Sequence, residues 1–147
     1  MSRYPDWEQR LYGYLTGVRG RAWDPVAHNC ALFALGAMQA ILPDAGLRFD
    51  RLDIEQLPDS PLAAARVLAA HGGVRGLALA FFGSELLPPL LARRGDVLLA
   101  DGDLLVDGST DSESLGIFDG SQALFVGPTG IQRFALTACK GCWRAGA

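Results

Sequence analysis

Residues 28–43 read His28-Asn29-Cys30-Ala31-Leu32-Phe33-Ala34-Leu35-Gly36-Ala37-Met38-Gln39-Ala40-Ile41-Leu42-Pro43, and their reading decides how the rest of the chain is parsed. Leu32, Phe33, Leu35, Gly36, Met38 and Ile41 recur at helical spacing, which predicts a helix from about Cys30 to Ile41 with these positions facing a core. Pro43 ends it, because the residue before a proline is pushed out of the helical region. At the other end Asn29 stands where an N-cap belongs, its side-chain oxygen able to accept a free backbone N–H of the first turn. Cys30 therefore opens a helix. A thiol in that place feels the positive end of the macrodipole, which can lower a cysteine pKa well below about 8.5 and make the nucleophilic thiolate.

Outward from this element the first half of the chain stays helical. Trp7, Leu11 and Leu15 recur every four residues after Pro5, predicting a helix that stops near Gly17 or Gly20. Ser60-Pro61 is an N-cap followed by a first-turn proline, and its helix runs through Leu62, Ala65, Val67 and Leu68 to His71-Gly72-Gly73. Residues 74–82 are read as a further short helix, and Pro88-Pro89 then breaks the chain. From Gly95 the period becomes extended. Short apolar runs at 96–99, 104–106, 115–118, 123–126 and 131–134 are parted by Gly, Asp and Ser turns, as in an antiparallel meander. Helices first and strands afterwards predict an α+β domain, with N-terminal helices packed on a small antiparallel sheet.

The chain has 147 residues, which suits a single domain over 1–147. Half of its residues are apolar, which excludes disorder. A net charge of −3 and a pI of about 5.2 argue against a nucleic-acid partner. The opening residues Met1-Ser-Arg-Tyr-Pro-Asp-Trp-Glu lack the apolar run of a signal peptide, and the longest such stretch, Leu77 to Phe82, is far too short to cross a bilayer. A chain made without an export signal and without a membrane segment is expected. Three cysteines make an odd count for a disulfide framework, so reduced thiols are expected.

Three motifs in order carry a resemblance. His28-Asn29-Cys30-Ala31-Leu32-Phe33 opens a helix, Arg94-Gly95-Asp96-Val97-Leu98 opens a strand, and Leu115-Gly116-Ile117-Phe118-Asp119-Gly120 follows. Over about residues 20–135 this resembles the NlpC-type cell-wall cysteine peptidases of the papain-like superfamily. The resemblance implies a papain-like fold, Cys30 as nucleophile, and the Cys30 backbone N–H as part of an oxyanion hole. It also places the family's catalytic histidine on Ser114, and the polar residue that orients that histidine near Phe125 or Val126. A serine cannot take a proton near neutral pH, and base help is worth about 10²–10⁴ in rate. The resemblance thus implies a peptidase fold without its peptidase.

The degenerate pattern is also similar to small proteins encoded among the tail genes of long-tailed bacteriophages and gene-transfer particles. That similarity implies a structural place in the tail tip or baseplate of a virion, beside hub proteins and with the bacterial cell wall as a further partner, after synthesis in the host cytoplasm. Trp143 and Arg144 are candidate anchors to such neighbours. The alternative is an active peptidoglycan hydrolase in which Cys30 attacks an amide and His28 replaces the missing base.

The remaining candidates read as structural. His71 precedes Gly72-Gly73 at a helix C-terminus, where a cation suits the dipole. Cys139-Lys140-Gly141-Cys142 has the spacing of half a zinc or redox site, but no second pair completes four ligands. Asp101, Asp103, Asp107, Asp111, Glu113 and Asp119 lack calcium-loop spacing and read as solvated turns. Trp7, Trp23 and Trp143 read as core or interface anchors. No cofactor and no metal are expected.

Overall fold

A computed structural model describes residues 2–102 and 113–146. Its helices are α1 (Trp7–Val18), α2 (Cys30–Ile41), α3 (Ala45–Asp50), α4 (Pro61–His71) and α5 (Gly73–Phe82). The strands follow as β1 (Val97–Asp101), β2 (Glu113–Phe118), β3 (Ala123–Gly127), β4 (Gly130–Phe134) and β5 (Gly141–Trp143). The α+β class expected from the sequence is what forms, as helices followed by one antiparallel sheet in the order β4-β3-β2-β1-β5. The run at 104–106 and the acidic residues Asp103, Asp107 and Asp111 lie outside the described residues.

Local chemistry sets the element ends. Asn29 accepts the Leu32 N–H at 2.9 Å and so caps α2, and Ser60 does the same for α4 through the Ala63 N–H at 3.1 Å. Gly72 closes α4 in the left-handed region at φ 75°, which lets α5 begin at once in a new direction. Two elements were not foreseen. α3 is six residues long with a glycine at its second position, and β5 is three residues long and holds the second cysteine of the Cys-x-x-Cys motif.

Alternation along the strands feeds two cores. Val97, Leu99, Leu115, Ile117, Leu124, Val126 and Trp143 pack under the helices against Phe33, Ala37, Met38 and Ile41. On the opposite face Leu98, Ala100, Phe118, Ala123, Phe125, Cys139 and Cys142 form a smaller cluster under Leu87, Ala92, Phe134 and Leu136. Trp143 is fully buried, stacks on Phe82 at 6.1 Å between ring centroids, and donates its indole N–H to the Ser84 carbonyl at 3.2 Å. The expectation that it anchors a neighbour is therefore corrected: the indole is a core residue.

The turn into β1 ties both chain ends together. Asp96 is fully buried and accepts from the Arg3 guanidinium at 3.1 Å, the Arg93 N–H at 2.8 Å and the Ala145 N–H at 2.9 Å. The Arg-Gly-Asp-Val motif thus has a structural use in this chain, since one carboxylate pins the N-terminal segment and the exit of β5.

Candidate functional site

The capped start of α2 presents Cys30 to β2. Strand pairing sets Ser114 opposite Ala100 and Glu113 opposite Asp101, at the end of the β1–β2 ladder where the helix N-terminus arrives. The Ser114 hydroxyl and the Leu115 backbone N–H act on the Cys30 thiol, as do the Ala31 and Cys30 amides of the helix start. The Ser114 position that the peptidase resemblance assigns to the catalytic histidine is thus at the thiol.

The direction of the Cys30 pKa corrects the reading made from the helix dipole. Burial among apolar side chains pushes the thiol above its ordinary value, and this outweighs the amides and hydroxyl that favour thiolate. Helix position alone could not reveal that, because desolvation depends on what α4, α5 and β2 pack around the sulfur.

Neither histidine reaches this thiol. The His28 backbone pairs with Asp24, its N–H donating at 3.2 Å, while its buried ring lies edge-on to Phe33 at 6.2 Å. His28 Nε2 is buried without a partner, and burial, then the nearby Arg21 charge, lower its pKa. The proposed substitute base therefore packs on Phe33, outside the cavity wall that Cys30 lines, and does not figure among the groups acting on the sulfur. His71 sits at the far end of α4, its Nδ1 2.8 Å from the Val67 carbonyl oxygen and its Nε2 2.6 Å from that of Leu52. Phe125 and Val126, the positions corresponding to the orienting group, are buried apolar residues, with Phe125 packed against Phe134 at 5.9 Å on the other face of the sheet.

A cavity of about 760 Å³ opens beside the thiol between α2, α4, α5 and β2. Its walls are mostly apolar, with Leu35, Met38, Leu68, Leu77 and Phe81 among them. Trp23, 41% exposed, and Cys30 both line it, so Trp23 belongs to the cavity wall and not to the core. α4 lines the space without burying any residue fully.

A charged cluster closes one side of that cavity. Arg75 donates twice to Glu113, at 3.0 and 2.6 Å, and the Lys140 ammonium bonds Glu113 at 2.7 Å and Asp101 at 3.0 Å. The Arg75 hydrogen bond, helped by Lys140, holds the Glu113 carboxyl down at about 2. Asp101 and Glu113 depart from the solvated turns expected from the sequence: both stand on strands and are ion-paired. Asp119 does cap a turn, accepting the Ser121 and Gln122 N–H groups at 2.8 and 2.6 Å.

Cys139 and Cys142 are free, buried thiols, both raised to about 11 chiefly by burial. Among the described residues no group of His, Cys, Asp or Glu is placed to hold a metal ion. No helix of the described residues is long and apolar enough to cross a membrane.

Fold and site together define an α+β domain whose helix-opening thiol meets a central strand beside an apolar cavity. The chain belongs to the family described as a domain of unknown function, DUF6950, whose model matches residues 2–145. No curated protein and no solved structure matches it.

Proposed function

We propose that this chain is a papain-like domain of the NlpC type that has lost its base, and that it serves as a structural subunit of a bacteriophage or gene-transfer-particle tail tip, beside the hub proteins. The observation that carries the loss of catalysis is the fate of the two histidines. One is packed on Phe33 and the other is bonded to the Leu52 and Val67 carbonyls, so the Cys30 thiol has a hydroxyl where a peptidase needs an imidazole. The raised thiol pKa points the same way. The tail-tip location is supported by the His-Asn-Cys-Ala-Leu-Phe and Leu-Gly-Ile motifs and by their order along the chain.

The test is Cys30→Ala in a particle that carries this chain. Normal assembly and undiminished infectivity are expected, with antibody labelling at the tail tip. Assembled particles that no longer infect would overturn the non-catalytic reading. The cavity beside the thiol favours the second reading, a peptidoglycan hydrolase acting during cell-wall penetration. A zymogram of the purified chain separates the two, since cleared cell wall that disappears in Cys30→Ala belongs only to the hydrolase.

A further inference from the structure

A second cleft, of about 640 Å³, lies where the chain ends meet the turn into β1. Arg3, Arg93, Arg94 and Arg144 face it against Glu8 and Asp96, four positive charges to two negative, in a chain whose net charge is −3. Such a local surplus is held together against its own repulsion, and it raises the local concentration of anions.

Two of the four cations are already engaged. Arg3 spans the Asp96 carboxylate and the Arg94 and Ala145 carbonyls, and its cation lies 4.1 Å over the Trp7 ring. Arg94 pairs with Glu8 at 2.8 Å, but both side chains are more than half exposed, so solvent screens that contact. The side chains of Arg93 and Arg144 make no hydrogen bond or salt bridge among the described residues, and Arg144 Nε is buried without an acceptor. Asp96 cannot serve them, because Arg3 and the Arg93 and Ala145 N–H groups take up its oxygens. A buried guanidinium donor without an acceptor is costly, and a turn of the Arg144 side chain toward an anion in the cleft that it lines would supply one.

We propose that this cleft binds a doubly charged oxyanion of the phosphate type, held by Arg93 and Arg144, with Arg94 drawn from its exposed pair with Glu8. The planar guanidinium fork matches phosphate oxygens two at a time, and two net positive charges match a dianion.

Calorimetric titration of the intact chain at low ionic strength, with inorganic phosphate and separately with glycerol 3-phosphate, tests this. Saturable one-to-one binding is expected, weakening as salt is added. Arg144→Gln and the exposed Arg93→Gln should each weaken it about tenfold or more, the loss that follows removal of a charge-assisted hydrogen bond. Arg93→Gln keeps the test valid if Arg144→Gln fails to fold. Tighter binding of the monoester would assign the site to a phosphoryl group on a larger molecule, and equal binding to the free ion. Absence of saturable heat from both ligands at millimolar concentration, or equal affinity in a folded Arg93→Gln variant, overturns the proposal.

Discussion

Ser114 sits beside Cys30 at the junction of α2 and β2 and favours its thiolate, while the nearer histidine in sequence, His28, packs on Phe33 and is absent from the cavity wall that the two share. Contact in the fold, not proximity in the chain, therefore decides what can act on the sulfur. Ser114→His would set an imidazole against the thiol, and the adjoining cavity has room for the larger ring. Alkylation of Cys30 by iodoacetamide at pH 7 is expected to rise about 100-fold over the parent, the low side of what a positioned base contributes. Peptide mass spectrometry reads the rate, with buried Cys139 and Cys142 as internal controls. A folded variant alkylated no faster than the parent would show that this position does not command the thiol.

Asp96 carries the greatest structural burden of any charged group described. Removing it strips a partner from Arg3, itself only 11% exposed, and leaves the Arg93 and Ala145 N–H groups without their acceptor. Breaking a buried pair from one side costs about 3–5 kcal/mol. Asp96→Ala is expected to lower stability in urea unfolding by about 3 kcal/mol or more. Asp96→Asn keeps an acceptor oxygen and should cost less. Equal losses in the two variants would mean that the charge, not the hydrogen bonding, holds the chain ends.

The two imidazoles should titrate in opposite directions. At His71 the Val67 and Leu52 carbonyl oxygens face the two ring nitrogens, which only an imidazolium satisfies with both N–H groups, and its pKa is raised from 6.5. His28 is lowered from 6.5 by burial. For His71 the folded state binds the proton more tightly than the unfolded chain. Its contribution to stability is complete below pH 6.5 and is lost as pH rises through the folded value. NMR titration of the ring protons is expected to place His71 above and His28 below 6.5. The urea midpoint should fall as pH rises from 6.5 through the raised folded value in the parent, and fall less in His71→Gln. A reversed order of the two titrations would refute the assignment.

Much of this architecture was legible because local signals agree with one another. Asn29 and Pro43 bracket α2, Ser60-Pro61 and Gly72-Gly73 bracket α4, and the change of period at Gly95 separates helices from strands. β5 was hidden because three residues are too few to show a period. The nearness of Ser114 to Cys30 emerges only through motif resemblance, since 83 residues of chain lie between the two and no local rule joins them. The thiol's pKa was misjudged because the helix end is visible in sequence and burial is not. The arginine cleft was invisible for a related reason: Arg3, Arg93 and Arg144 come together only when both chain ends are drawn to Asp96.

Gly36 looked like one more core-facing position on α2, yet its lack of a side chain is what admits Tyr14. A Cβ there would overlap the Tyr14 ring and hydroxyl, whose O–H donates to the Phe33 carbonyl at 2.7 Å and so fastens α1 to α2. Alanine in an unhindered helix gains about 0.5–1 kcal/mol over glycine. Gly36→Ala should instead destabilise by about 1–3 kcal/mol, the cost of overpacking. Tyr14→Phe retains the ring and should not rescue it, whereas Tyr14→Ala in the Gly36→Ala background should recover part of the added loss. Burial also raises the Tyr14 hydroxyl from 10.0 to about 12, so the folded state favours the protonated phenol. That contribution is intact below pH 10 and is lost as pH climbs toward 12, a decline that Tyr14→Phe removes from the alkaline unfolding profile. A Gly36→Ala variant more stable than the parent would show that α1 and α2 are not in tight contact at this pair.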